Sequence, residues 1–208
     1  MRPIPTLFAL VALAAAPLAA AAEDRGAQLF QLCAQCHGPE AAGDPMALAP
    51  AIGGMDEWYL KAQLDKFRSG ARGTHFDDIA GMRMRPMALS LYNEEDLVTV
   101  AAYVAALPAT MPTPTLGGDA ARGQALYAPC AACHGPDAAG IQALNGAPLR
   151  GTSDWYLYRQ IQNFRSGVRG TKPGDASGAL MRPMSMTLPD EQAIKDVIAY
   201  IATLSPSH

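Results

Sequence analysis

The chain has 208 residues, 50% of them hydrophobic and 17% charged, and its formal net charge is −3 at pH 7. This composition is typical of a globular protein with one large domain or two small ones, and the 19 glycines and 17 prolines predict substantial loops. The chain has no long basic run and no positive balance, which excludes the charge pattern of a nucleic-acid-binding protein.

The first 22 residues differ in composition from the rest of the chain. Arg2 gives a short basic start, residues 7–13 form an apolar run, and three alanines at 20–22 precede Glu23. This pattern is typical of a secretory signal peptide, and the apolar run is too short for a membrane-spanning helix. We therefore predict a signal peptide over residues 1–22 and export to the periplasm.

Three helices are predicted in the first half of the remaining chain. One runs from about Asp24 into a cysteine-containing string, a second from about Asp56 to Gly70, and a third from an Asn93 cap to Leu107. Glycine is a common left-handed helix terminator, and asparagine followed by acidic residues is typical of a helix start. No alternating pattern indicates a sheet, so the predicted fold class is all-α.

The second half repeats the first at a shift of 97 positions, without a gap. The repeat indicates a tandem duplication of a domain of about ninety residues, and it predicts helices from Asp119, over Trp155–Gly167 and over Asp190–Leu204. A proline-rich and glycine-rich stretch between the copies is typical of a stiff spacer. The predicted domains are residues 23–107 and 119–208, joined by a linker at 108–118.

All four cysteines lie in two Cys-x-x-Cys-His strings: Cys33, Cys36 and His37, then Cys130, Cys133 and His134. A thioredoxin-like motif would follow a strand, which the sequence lacks, and a structural zinc site needs four ligands where each copy offers three. In a haem c site two thiols bond to the porphyrin and the adjacent histidine binds iron. A covalently held porphyrin would also enlarge the core of such a small domain. The strings therefore predict two haem c groups.

The chain resembles the cytochrome c4 family over nearly all residues after position 22. The resemblance rests on both haem strings, on the Phe-Arg-x-Gly-x-Arg segment, and on the methionine segment before a tyrosine-bearing last helix. It implies two tandem class I cytochrome c domains, each a small helical domain around one haem. It also implies that the first and last helices of each copy pack together through Gly26, Phe30 and Tyr103, and through Gly123, Tyr127 and Tyr200.

Iron in such a domain takes a methionine sulfur opposite the histidine. The candidates are Met82, Met84 and Met87 in the first copy and Met181, Met184 and Met186 in the second. Met82 and Met186 have no methionine at the matching position of the other copy, and spacing alone leaves two candidates in each. The family places the ligand seven residues before the leucine that leads into the last helix. The resemblance therefore implies Met84 and Met181, with the other pair as packing in the haem pocket.

Two further questions stay open in the sequence. The resemblance implies that a loop carbonyl near Pro50 accepts a hydrogen bond from His37, but in the second copy the proline is displaced by one position. The acceptor for His134 is therefore undecided. Four recurring arginines could bind haem propionates, bridge the lobes or simply lie at solvated helix ends: Arg68, Arg72, Arg165 and Arg169.

The charge is unevenly distributed. Residues 23–115 carry twelve acidic and seven basic side chains, a balance of −5, whereas residues 116–208 carry seven acidic and eight basic side chains, a balance of +1. Such a difference would orient the molecule towards charged partners. We therefore expect one lobe to meet the electron donor and the other the acceptor.

Two axial protein ligands leave no open iron position, and no catalytic constellation accompanies the haems. The sequence therefore predicts an electron carrier of a respiratory chain and not an enzyme. Its donor would be a quinol-oxidising complex or a dehydrogenase, and its acceptor a terminal oxidase or reductase. The alternative is an electron-accepting dihaem subunit of a sulfur-compound-oxidising or other periplasmic dehydrogenase. Both a soluble and a loosely membrane-associated protein stay open.

Overall fold

The computed structural model describes residues 15–204, with side chains from residue 25 onward. Its α-helices are α1 (Ala15–His37), α2 (Glu57–Ser69), α3 (Ile79–Leu89), α4 (Glu94–Ala106), α5 (Ala120–His134), α6 (Asp154–Ser166), α7 (Ala176–Met186) and α8 (Glu191–Ala202). Apart from a short 3-10 helix, Gln142–Leu144, and two isolated β-bridges, the rest of this described range is turns and loops. The all-α prediction is confirmed.

The two halves of the chain form two lobes with the same helix order. In each lobe the first and last helices cross, and aromatic rings meet there: Phe30 and Tyr103 at 5.6 Å, Tyr127 and Tyr200 at 5.5 Å. A Cβ atom added at Gly26 would lie 2.6 Å from the Tyr103 Cβ, so glycine permits the close crossing. The packing implied by the family resemblance is confirmed.

The predicted helix boundaries agree well with the structure for the second and fourth helices of each lobe. α2 stops at Gly70, which has a φ of 81° and lies in the left-handed region. The Asn93 side chain caps α4 by accepting a hydrogen bond from the Asp96 N–H, and Asp190 caps α8 in the same way. α8 ends at Ala202, two residues before the predicted Leu204.

Two expectations about the helices are wrong. α1 already contains Ala15, the first described residue, well before the predicted Asp24, because the alanine-rich run before Asp24 has the highest helix propensity and contains no internal breaker after Pro17. Each lobe also contains an additional helix, α3 or α7, that the periodicity did not predict. Both are short and contain a proline, but Asp78 and Asp175 cap them by accepting from the backbone N–H three residues on.

The linker is held against the second lobe by one buried carboxylate. Asp154, at the start of α6, accepts hydrogen bonds from the backbone N–H groups of Thr115 and Leu116. Within residues 15–204, no helix is long and apolar enough to cross a membrane. Of the predicted signal peptide, residues 1–14 lie outside the described residues.

Candidate haem sites

A large apolar cavity opens in the first lobe beside the cysteine string. It encloses about 1240 Å³ of space, including its open mouth, and its walls come from α1 to α4 and the loop before α2. Cofactor sites in proteins are typically clefts lined mainly by apolar side chains with a few polar groups, and this cavity has that character. The site residues on its wall are Cys33, Cys36, His37, Met84 and Met87.

The helix geometry explains why the cysteine string faces the cavity. Cys33, Cys36 and His37 lie on α1 at positions i, i+3 and i+4, which share one helix face. Burial raises the pKa of the Cys33 thiol and of the matching Cys130 thiol in α5. None of the four thiols forms a disulfide in the described part of the chain, so all remain free to bond a cofactor.

Each histidine is fixed by a backbone carbonyl. His37 Nδ1 lies 2.8 Å from the Pro50 carbonyl oxygen, and His134 Nδ1 lies 2.7 Å from that of Ala147. A carbonyl only accepts, so Nδ1 carries the proton and Nε2 is left to bind a metal. Burial lowers the pKa of both imidazoles, which favours the neutral ligand form. The undecided acceptor for His134 is thus Ala147, at the repeat position of Pro50, and the displaced proline does not move it.

The methionines divide by exposure. Met84 and Met87 lie one helical turn apart on α3 and both line the cavity, whereas Met82 is 46% exposed. In the second lobe Met181 and Met184 are half-buried, and Met186 is 54% exposed. The structure therefore keeps the same two candidates in each lobe, and the choice of Met84 and Met181 as ligands stays a prediction.

Two of the four recurring arginines are buried at the lobe interface. Arg72 and Arg169 are only 5% and 6% exposed, and their guanidinium groups lie 4.3 Å and 4.4 Å from the ring centres of Phe67 and Phe164. Arg68 instead lies 3.6 Å from the Glu94 carboxylate near the surface. Helix-end solvation is therefore wrong as the explanation for the buried pair.

The interface brings residues of the second lobe into the first site. Tyr156 and Gln160, on α6, line the first cavity, and both accept a hydrogen bond from Arg72, at 3.1 Å and 3.4 Å. Burial and the charge of Arg72 lower the pKa of Arg169 to about 10. The sequence predicts Tyr156 as core or haem-pocket packing, but it does not predict that Tyr156 and Gln160 reach the site of the other lobe, because nothing in the local pattern indicates contacts between lobes.

The residues present fit haem c. Among the described residues, the Nε atoms of Arg72 and Arg169 are buried and have no hydrogen-bond partner. Buried cationic donors without partners are costly, so they favour an anionic group at this place, and haem carries carboxylates on its edge. The thiols, the histidine Nε2 and a thioether supply the covalent and axial bonds such a group needs.

Comparisons with known proteins agree with this geometry. The cytochrome c family model matches residues 23–108 and again 120–205. The thiosulfate dehydrogenase electron acceptor of Stutzerimonas stutzeri is 34% identical over 83% of this chain and 78% of its own. Cytochrome c4 of Pseudomonas aeruginosa is 28% identical over 94% of this chain and 96% of its own.

The fold agrees as well. The solved structure of reduced recombinant cytochrome c4 from Pseudomonas stutzeri superimposes with a TM-score of 0.67 at 24% identity, over 88% of this chain and 98% of that one. The two-domain fold is therefore shared along the whole length of that protein. The chain belongs to the cytochrome c family, in its tandem cytochrome c4 form, and is a dihaem electron-transfer protein that binds two haem c groups.

Proposed function

We propose that this electron carrier works in the periplasm, exported by the signal peptide predicted over residues 1–22, and that both haem irons are closed by two protein ligands. His37 and Met84 would bind the first iron and His134 and Met181 the second, with Cys33, Cys36, Cys130 and Cys133 as covalent attachments. Each haem, when bound, holds one electron by cycling between its ferric and ferrous states. The residues of the chain hold each haem in place and form its environment.

The observation that carries this proposal is that one apolar cavity is lined both by a histidine fixed through its backbone hydrogen bond and by two methionines. The backbone bond to Nδ1 prevents ring rotation, and the apolar wall excludes water from the iron's surroundings. A soft thioether as the second protein ligand would favour the reduced state and would leave no position for a substrate. Both features suit outer-sphere electron transfer, in which the metal keeps all its ligands.

A spectrum of the reduced full-length protein, with and without carbon monoxide and alongside a haem count, tests the ligation. We expect two low-spin haems that do not react with carbon monoxide. A carbon monoxide shift in the unaltered protein would mean an open iron and would contradict the proposal.

For the partners, we infer a redox protein as donor and a terminal oxidase or reductase as acceptor. A quinol-oxidising complex is the first candidate donor. A thiosulfate-oxidising dehydrogenase is the second, and it is favoured by the Stutzerimonas relative, which is named as the electron acceptor of such an enzyme. The charge difference between the lobes supports separate docking faces for donor and acceptor.

Stopped-flow reduction distinguishes the donors. The oxidised protein is mixed with each candidate donor enzyme and its substrate, and the same mixture without substrate serves as the control. The donor is the enzyme that reduces the protein fast and at a rate that falls as the salt concentration rises. Salt lowers the rate of docking through surface charges, because such charges are screened within about 8–10 Å at physiological ionic strength. Salt-insensitive rates with both donor and acceptor would contradict docking through the charged lobes.

A further inference from the structure

The two lobes contribute unequally to one part of their interface. Asp78 and Asp175 occupy matching repeat positions, both are buried, and both cap the helix that carries the candidate methionine ligands. Each accepts a hydrogen bond of 3.1 Å from the glycine N–H three residues on. The two carboxylates therefore have the same local role in two copies of one domain.

Among the described residues, a lysine of the first lobe forms an ion pair with Asp175 and not with Asp78. Lys66, on α2, places its Nζ 2.7 Å from Asp175 Oδ1 and 2.5 Å from Ser177 Oγ, both in the second lobe. The Asp175 side chain is fully buried and that of Lys66 is 18% exposed. The pair is therefore largely removed from water, where a charge acts over a longer range than at the surface.

The second lobe has no equivalent lysine that could form an ion pair with Asp78. The repeat position of Lys66 is Asn163, which is uncharged, and that of Ser177 is Ala80, which has no hydroxyl. Among the described residues, Asn163 Nδ2 and Asp78 Oδ2 are buried atoms without a hydrogen-bond partner. The duplication thus keeps both carboxylates and one copy of the lysine.

This inequality lies beside the haem sites. Asp78 and Gly81 line the first haem cavity, and the repeat places Asp175 and Gly178 at the corresponding edge of the second site. Each site also has its buried arginine, Arg72 or Arg169, so these charges balance between the lobes. Lys66 is the additional charge. A nearby cation favours the reduced haem, because reduction adds one negative charge to it.

We propose that Lys66 is a potential-tuning residue, which raises the reduction potential of the second haem relative to the first across the lobe interface. It biases the electron that the two haems share towards the second lobe. One electron moves between the haems, and no bond is broken and no proton is transferred. The inference rests on the dihaem ligation proposed above.

The test exchanges the two repeat positions. Lys66→Asn installs the second copy's residue in the first lobe, and Asn163→Lys installs the first copy's lysine in the second lobe. The matched control is Lys61→Asn on the same helix, because Lys61 pairs with Asp65 and Glu94 on the surface. Spectroelectrochemical titration gives both midpoint potentials, and haem methyl resonances in partly reduced samples assign each one to its lobe.

We expect Lys66→Asn to shift the interhaem equilibrium towards the first haem several-fold, by lowering the second potential more than the first. Asn163→Lys raises the first potential more than the second, Lys66→Arg preserves the wild-type difference, and Lys61→Asn changes neither potential. Equal movement of both potentials in Lys66→Asn, or unchanged potentials in both exchange variants, would overturn the proposal. If Lys66→Asn does not fold, the change in the first potential in Asn163→Lys still tests the proposal.

These outcomes are separate from the test of ligation. Wild-type haems that bind carbon monoxide would refute the proposed His/Met closure whatever the lysine does. Low-spin, closed haems with immovable potentials would refute only the role of Lys66.

Discussion

Truncation of the candidate methionines separates an iron ligand from a packing residue. Met84 and Met87 both line the first cavity and both are half-buried, so Met84→Ala and Met87→Ala remove similar apolar contacts. A fully buried methionine costs about 2–5 kcal/mol on truncation to alanine, and half-burial places both variants near or below the lower end. Stability therefore does not distinguish the two residues, whereas the state of the iron does.

The expected readout is a stoichiometry. With Met84 as the ligand, Met84→Ala opens one of the two irons, so half of the total haem binds carbon monoxide after reduction. Met87→Ala leaves both irons closed, and no haem binds it. The potential of the opened haem also falls, since the thioether that favours the ferrous state is lost.

The assay is a carbon monoxide titration of the reduced full-length variants, scaled to total haem. Met181→Ala and Met184→Ala repeat the comparison in the second lobe, and Met82→Ala is an exposed control on α3. Half-occupancy in Met87→Ala with none in Met84→Ala would show that the family spacing selects the wrong methionine. Binding in neither variant would refute methionine ligation of that haem.

Two further predictions concern the second lobe. A Cβ atom at Gly123 would collide with the backbone carbonyl of Asp196, where α5 crosses α8. We expect Gly123→Ala to lower the free energy of unfolding by about 2 kcal/mol, because the cost of overpacking exceeds the gain in helix propensity. Urea unfolding measures this, and Gln124→Ala on the exposed face of α5 should stay within about 0.5 kcal/mol of wild type. The Arg122 guanidinium holds the pKa of Asp196 well below its usual range. This carboxylate therefore stabilises the fold fully above its unfolded pKa of about 3.9, and the stabilisation is lost progressively as the pH falls from there towards the lower folded pKa. Asp196→Asn should therefore lower Tm at pH 7. Between about pH 5 and about pH 2.5, Tm should fall less in this variant than in wild type. If the curves of Tm against pH are parallel for the two proteins, Asp196 does not have this stabilising role.

Local signals predicted the part of the fold that local chemistry determines. Gly70 and Asn93 mark helix ends because a left-handed glycine and a side-chain acceptor satisfy backbone groups within a few residues. α3 escaped prediction because it is short and carries Pro86 within it. Its formation depends on the Asp78 cap and on packing against α2, and the hydrophobic periodicity of the sequence predicts neither of these interactions.

In the candidate site, too, local sequence predicts some features, whereas others depend on how the two lobes pack together. The cysteine strings are contiguous, so their spacing alone indicates the attached cofactor. The contact of Arg72 with Tyr156 joins residues from different lobes, and it depends on how two folded domains meet. The repeat shows which positions are duplicated, but it does not show which duplicated positions face each other.

The candidate ligands are nearly the same in the two lobes. Both histidines donate to a carbonyl at the same repeat position, at 2.8 Å and 2.7 Å, and both lobes offer the same methionine pair. Any directional preference for the electron must then come from charge around the sites. Two sources favour the second haem: the excess of acidic residues in the first lobe and the buried Lys66.

Salt separates these two sources of asymmetry. Exposed acidic residues are screened as ionic strength rises, whereas the Lys66–Asp175 pair lies within the interface and is screened much less. If surface charge alone sets the difference between the two potentials, the difference should vanish at about 1 M salt, where the Debye length is about 3 Å. If Lys66 contributes as proposed, a difference remains at high salt in the wild type and is reduced in Lys66→Asn. Of the two sources, the Lys66–Asp175 contact is therefore the one whose effect on the difference between the potentials depends less on ionic strength.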